Sequence, residues 1–238
     1  MTDGIARDGR FTTGTTDGAE TDAELLDDLI SCGRAVVSAG LVRGSGGNLS
    51  ARRPGTRNCW VTATGTWLDR LTPDDFSLVD IETGAVLAGN RRPTSEVLLH
   101  LASYRARPDA NALIHLHPQL SVLLDAMGEP IRLVTIDHAY YLREVRSTPF
   151  TQSGTAELAQ VAAAAVRDGA NCVILGHHGC SVLGDGLELA LKRALNLEEA
   201  ATATYRALML GRSVPECPPE YLERITAAEA GSAAVGAP

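Results

Sequence analysis

Apolar residues recur at helical spacing from Asp22 to Ala39, where Leu25, Leu26, Leu29, Ile30, Ala35, Val36 and Val37 share a face. Gly40 is placed to stop that helix. A glycine-rich turn, Arg43-Gly44-Ser45-Gly46-Gly47-Asn48, follows. Short β-like stretches are predicted over Leu49–Arg52, Cys59–Ala63 and Ser77–Ile81, with a turn at Glu82-Thr83-Gly84. The period returns to helical over Ser95–Arg105 and breaks at Pro108. Ala112–Leu116 is a short apolar run suited to a buried strand, and Pro118–Met127 to a short helix. Strands are expected over Arg132–Ile136 and Cys172–Leu175. An Ala-rich helix is expected over Ala156–Arg167, opened by Thr155 and ended by Gly169. A long helix over Leu187–Leu210 carries Glu188 and Lys192 as an i,i+4 pair. Mixing the two periods implies an α/β protein. Residues 1–21 read as a flexible tail, 22–226 as one folded domain and 227–238 as a second flexible tail.

Composition narrows the function. The 238 residues carry 29 acidic and 21 basic side chains, a formal net charge of −8. Such a chain lacks the basic face that non-specific nucleic-acid binding requires. The single lysine, Lys192, leaves little room for Schiff-base chemistry, which needs an amine of lowered pKa in a pocket. The apolar runs are too short to span a bilayer, and no signal peptide is visible. The five cysteines are scattered, with no C-x-x-C pair, and read as reduced thiols in the cytoplasm. Neither a nucleic-acid partner nor a membrane partner is expected.

Six histidines hold the candidate chemistry. His115 and His117 sit two apart on a predicted strand, so both face one side. That is a common way to present two imidazoles to one metal, although the same pair arises where one ring packs and the other lies at an edge. His177-His178-Gly179 follows the apolar run Cys172–Leu175. Neighbours on a strand point opposite ways, so at most one of this pair can join the first two. Three imidazoles would make the open site of a catalytic metal.

Pro93-Thr94-Ser95-Glu96 opens a helix, with Thr94 or Ser95 as the natural N-cap and exposed N–H groups that favour an anion. Glu96 alone could merely answer the helix dipole. The turn Gly44 to Asn48 lacks the dinucleotide and Walker spacings and is either a tight connection or an anion nest, and Thr64-Gly65-Thr66 adds a third small polar turn.

Taken in order, Gly44-Ser45-Gly46-Gly47-Asn48-Leu49-Ser50, Thr64-Gly65, Pro93-Thr94-Ser95-Glu96, Arg107-Pro108-Asp109-Ala110-Asn111-Ala112 running into His115-Leu116-His117, and His177-His178-Gly179 resemble the class II aldolase/adducin family. Within it the likeness is to the fuculose-phosphate aldolases, and it spans roughly Asp22–Ile225. The resemblance implies a three-layer α/β/α sandwich around a mostly antiparallel sheet. It also implies a homotetramer with active sites between subunits. His115, His117 and His178 resemble the family's metal ligands, with Glu96 as the fourth ligand and the acid/base. Ser45, Asn48, Thr64, Gly65, Thr94 and Ser95 resemble its phosphate-binding set. The expected ion is zinc, with manganese, cobalt or iron compatible. It would polarise the carbonyl of a dihydroxyacetone-phosphate unit. A tyrosine acid is also implied, with Tyr140 and Tyr141 as its candidates.

The expected reaction is reversible cleavage of a ketose 1-phosphate, such as L-fuculose 1-phosphate or a (5-deoxy)pentulose 1-phosphate, into dihydroxyacetone phosphate and an aldehyde. An epimerase, a metal-dependent decarboxylase or oxygenase, and a non-catalytic adducin-like domain are the alternatives on the same scaffold. The chain departs from the family at its end, where Ala, Gly and Ser replace a terminal tyrosine and the last tyrosine is Tyr221.

Overall fold

The computed structural model describes residues 21–235. The expected N-terminal tail lies outside them, apart from residue 21.

Eight strands form one sheet: β1 (Asn48–Ala51), β2 (Asn58–Thr62), β3 (Phe76–Asp80), β4 (Val86–Gly89), β5 (Ala112–Leu116), β6 (Arg146–Thr148), β7 (Cys172–Leu175) and β8 (Gly179–Gly184). Their spatial order is β4-β3-β2-β1-β5-β8-β7-β6. Every pairing is antiparallel except β6 with β7. Seven helices accompany the sheet: α1 (Asp22–Ser38), α2 (Val97–Ala106), α3 (Gln119–Ala126), α4 (Ile136–Leu142), α5 (Ala156–Val166), α6 (Leu187–Met209) and α7 (Pro219–Val235).

Side-chain alternation along the strands makes two cores. Leu49, Ile114, Ile174 and Val182 face α1 and α6, where they meet Leu29, Val36, Leu191 and Leu197. Their strand neighbours Leu113, Val173 and Leu183 face the other way and meet Leu99, Leu158 and Val166 of α2 and α5. These are the three layers expected from the resemblance, with apolar residues on both faces of the central strands.

The strongly periodic segments fall where the pattern placed them. Thr21 and Glu24 form a reciprocal capping box on α1, and Thr155 accepts from Leu158 N on α5. Two expectations need correction. The strand expected over Arg132–Ile136 is absent, because these residues have no partner strand. Arg132 N donates instead to Thr204 Oγ1 of α6, and Thr135 caps α4 in a box with His138. The N-cap of α2 is Glu96, not Thr94 or Ser95; Thr94 Oγ1 accepts from Glu96 N at 3.3 Å, one step earlier. The helix α7 runs across the boundary expected at 227. Three strands, β4 (VLAG), β6 (RST) and β8 (GCSVLG), were not expected; each is short or interrupted by glycine and serine. No helix among the described residues is long and apolar enough to cross a membrane.

Candidate metal centre and anion cradle

Three neighbouring strands bring the site together at one end of the sheet. β1 and β5 run antiparallel with Asn48 opposite His115, and β5 pairs with β8 so that Leu116 lies opposite Cys180. The start of β1, the end of β5 and the turn into β8 therefore coincide. His115 and His117 leave β5 on one side, as their spacing predicts. His178 arrives from the β7–β8 turn, where its N–H donates to Leu175 O at 2.9 Å. His177 takes a left-handed backbone, φ 56°, and its ring lies 6.5 Å from that of Phe150 instead. One member of the histidine pair joins the centre and the other turns away.

The approach of these strands leaves no room for side chains at two glycines. A Cβ on Gly179 would lie 2.4 Å from Leu116 O and 2.5 Å from the His117 ring. One on Gly47, at φ 79°, would lie 2.7 Å from His115 O.

His115, His117 and His178 converge with ring centroids 5.0, 4.9 and 5.1 Å apart. His115 Nε2 lies 3.1 Å from His117 Nε2 and 3.1 Å from Glu96 Oε2. His178 Nε2 lies 3.2 Å from Glu96 Oε1. The four ligand atoms all fall within 4.8 Å of one another. Burial opposes ionisation of Glu96, but the His115 and His178 rings and the Asn48 amide outweigh it and hold the carboxyl well below the usual range. Burial, reinforced by the other two histidines, lowers His117 to about 4, so it is neutral at pH 7.

A divalent cation suits this donor set. His115 Nε2 faces both His117 Nε2 and Glu96 Oε2 at 3.1 Å, and a single hydrogen on it can serve only one of them. Glu96 Oε1 is buried with no hydrogen-bond partner. Three imidazoles and one carboxylate aimed at a common point are donors that suit a divalent metal.

Beside the centre lies a cavity of about 240 Å³. Segment 92–95 pairs with the end of β2, through Thr94 N to Thr62 O and Thr64 N to Arg92 O. That pairing sets Thr94 and Ser95 against Thr64 and Gly65. Across from them stands the glycine-rich turn with Ser45 and Asn48. All six residues of the expected phosphate set line this cavity. Thr66 and Ser153 line it too. Thr66 was marked only as part of a small polar turn, and Ser153 had no signal beyond its place before a glycine. No lysine or arginine lines the cavity, so an anion there would be held by hydroxyls, an amide and backbone N–H groups.

A second, larger cavity of about 600 Å³ is lined by Gly40, Arg43, His117, Pro118, Gln119, Val122 and His178. His117 and His178 line both cavities. The structure does not bring Tyr140 or Tyr141 to the centre within one chain. Both lie on α4, which packs on α6 and α7, and neither lines either cavity.

The Class II Aldolase and Adducin N-terminal domain family matches residues 27–205. The chain belongs to this family and is a class II aldolase. A 5-methylthioribulose-1-phosphate/5-deoxyribulose-1-phosphate aldolase from Rhodospirillum rubrum is 32% identical over 208 residues, 84% of this chain and 89% of the relative. An L-fuculose phosphate aldolase from Methanocaldococcus jannaschii is 35% identical over 169 residues, 71% of this chain and 89% of the relative. Among solved structures, an L-fuculose 1-phosphate aldolase superposes with a TM-score of 0.77 at 28% identity, covering 87% of this chain and 98% of that one.

Proposed function

We propose that the chain cleaves a ketose 1-phosphate, reversibly, into dihydroxyacetone phosphate and an aldehyde, with a divalent metal at the histidine centre. The observation that carries this reading is the shared lining of the two cavities by His117 and His178. A substrate with its phosphate in the smaller cavity passes the centre and extends into the larger one. Ser45, Asn48, Thr64, Gly65, Thr94 and Ser95 bind the phosphate and fix the register of the carbon chain. His115, His117, His178 and Glu96 hold the ion, with zinc the first choice for this donor set. A divalent ion bound there supplies Lewis-acid polarisation of the ketone.

Glu96 is the proton carrier. It is ionised near neutral pH, lines the cradle and lies beside the His115 and His178 rings, where a carboxylate can take and return the proton of a dihydroxyacetone unit. The larger cavity takes the aldehyde portion, beside Arg43 and Gln119. The proton on the aldehyde oxygen falls to Tyr140 or Tyr141 of a second copy, which is why the reading includes a homotetramer with sites between subunits. The names of the relatives support both fuculose and 5-deoxypentulose phosphates as substrates.

The test combines metal analysis with a cleavage screen over ketose 1-phosphates, following release of dihydroxyacetone phosphate. Glu96→Gln should keep the metal on the three histidines at reduced affinity and, per metal-loaded chain, lose proton exchange on dihydroxyacetone phosphate by about a hundredfold or more. Exchange at the wild-type rate in that variant removes Glu96 from the role.

A further inference from the structure

Behind Glu96 stands a line of buried polar side chains that no step above uses. His100 and Ser50 are 0% exposed and Tyr104 is 1% exposed. Asn48 Nδ2 donates to Glu96 Oε2 at 3.0 Å. Asn48 Oδ1 lies 2.5 Å from His100 Nε2, and His100 Nδ1 lies 2.6 Å from Ser50 Oγ. Ser50 Oγ lies 2.8 Å from the Tyr104 hydroxyl.

The spacing that builds this line is a match of two periods. Glu96, His100 and Tyr104 recur every four residues along α2 and its cap. Asn48 and Ser50 recur every two along β1. Four residues of helix rise about 6 Å and two of strand about 6.6 Å, so the two rows stay in step.

The line has one consistent direction. Asn48 Oδ1 can only accept, so His100 Nε2 carries the hydrogen. Burial and the neighbouring His115 hold the His100 ring neutral, with a pKa of about 3. Its Nδ1 is therefore bare and accepts from the Ser50 hydroxyl, whose oxygen accepts from Tyr104. Turning the Asn48 amide over would set its carbonyl against the Glu96 carboxylate and its N–H against the His100 N–H. The line ends at a sealed phenol, so it is not a route for protons to solvent.

We propose that His100 is a positioning residue. It locks the Asn48 amide so that its N–H faces Glu96, and thereby sets the carboxylate for the ion and for substrate. Asn48 also lines the anion cradle, so the same lock holds the phosphate end and the proton carrier in one register. The inference rests on the aldolase reading only where exchange is measured; metal affinity tests it independently.

The experiment compares His100→Gln, which retains a side-chain N–H at the position of Nε2, with His100→Leu, which does not. Zinc affinity is measured by chelator competition. Proton exchange on dihydroxyacetone phosphate is measured per metal-loaded chain, as kcat and KM separately, and melting temperature is recorded for each variant. The leucine variant should bind zinc about 10–100-fold more weakly and lose exchange through kcat by a similar factor, with the glutamine variant recovering most of both. Equal losses in the two variants, or a leucine variant that differs from wild type only in melting temperature, overturn the proposal. If the leucine variant fails to fold, Ser50→Ala decides, because it removes the hydroxyl that fixes the imidazole tautomer. Weakened zinc binding then supports the lock, and unchanged binding overturns it. If the wild type neither exchanges protons nor releases dihydroxyacetone phosphate, the aldolase reading fails while the order of zinc affinities still decides the role of His100.

Discussion

The imidazoles of His100 and His117 are kept neutral by their surroundings, and that has a measurable cost in acid. The folded chain holds His100 at about 3 and His117 at about 4, both below the ordinary value near 6.5. Below that ordinary value the unfolded chain takes up protons that the folded chain refuses. Stability from these two groups is therefore complete above about pH 6.5 and is lost as pH falls toward their folded values. The urea midpoint of the metal-free protein should fall steadily from pH 7 to pH 5. In His100→Gln that fall should be shallower, by at most about 1.4 kcal/mol per pH unit. A variant with the same slope as wild type would show that His100 titrates normally in the folded chain.

At the scale of the elements, the site depends on how closely β5 and β8 approach. Gly179→Ala puts a methyl group against Leu116 O and the His117 ring, and neither the backbone nor the clustered ring can yield freely. The variant should lose about 1–3 kcal/mol of unfolding free energy and most of its bound metal, read by denaturant titration and metal analysis. The elements also show what a sequence can declare. α1, α5, α6, β5 and β7 were legible because a full apolar face or run is written into each. The pairing of His115 with His117 was legible for the same reason, through the period of two. Arg132–Ile136 misled because only Leu133 packs on the core while Ile136 is exposed and Thr135 caps the next helix, and local pattern cannot distinguish that from a strand. The choice of His178 over His177 came from the resemblance; its physical cause, a left-handed residue in the β7–β8 turn, has no signature in the sequence. The link from Asn48 through His100 to Tyr104 was missed because it joins two periods on elements that only the fold brings together. His100 alone looks like any core histidine.

For the whole molecule, the single lysine now has a location. Lys192 is exposed on α6 and bonded to Glu188 at 2.6 Å, which raises its pKa, the opposite of what an imine-forming amine needs. Borohydride added with substrate should leave the protein unmodified by mass spectrometry, while EDTA should abolish cleavage and added zinc restore it. A borohydride adduct at Lys192 would overturn the metal-dependent reading. The net charge of −8 repels a phosphorylated substrate at long range. Binding must then come from short-range contacts in the cradle, so added salt should weaken KM little. A cationic funnel would behave in the opposite way.

The coincidence of strand ends at the site ties the chemistry to the order in which the chain folds. The proposed ligands come from residues 96, 115, 117 and 178, and bringing the last beside the others needs β8 paired with β5. A slip of one residue between β1 and β5 would send Asn48 to the opposite face of the sheet and leave Glu96 without its tether. On the proposed ligand set, metal capture would gauge correct strand register: a chain collapsed with the wrong pairing would not assemble the four donors, and a bound ion would withdraw correctly paired chains from that pool.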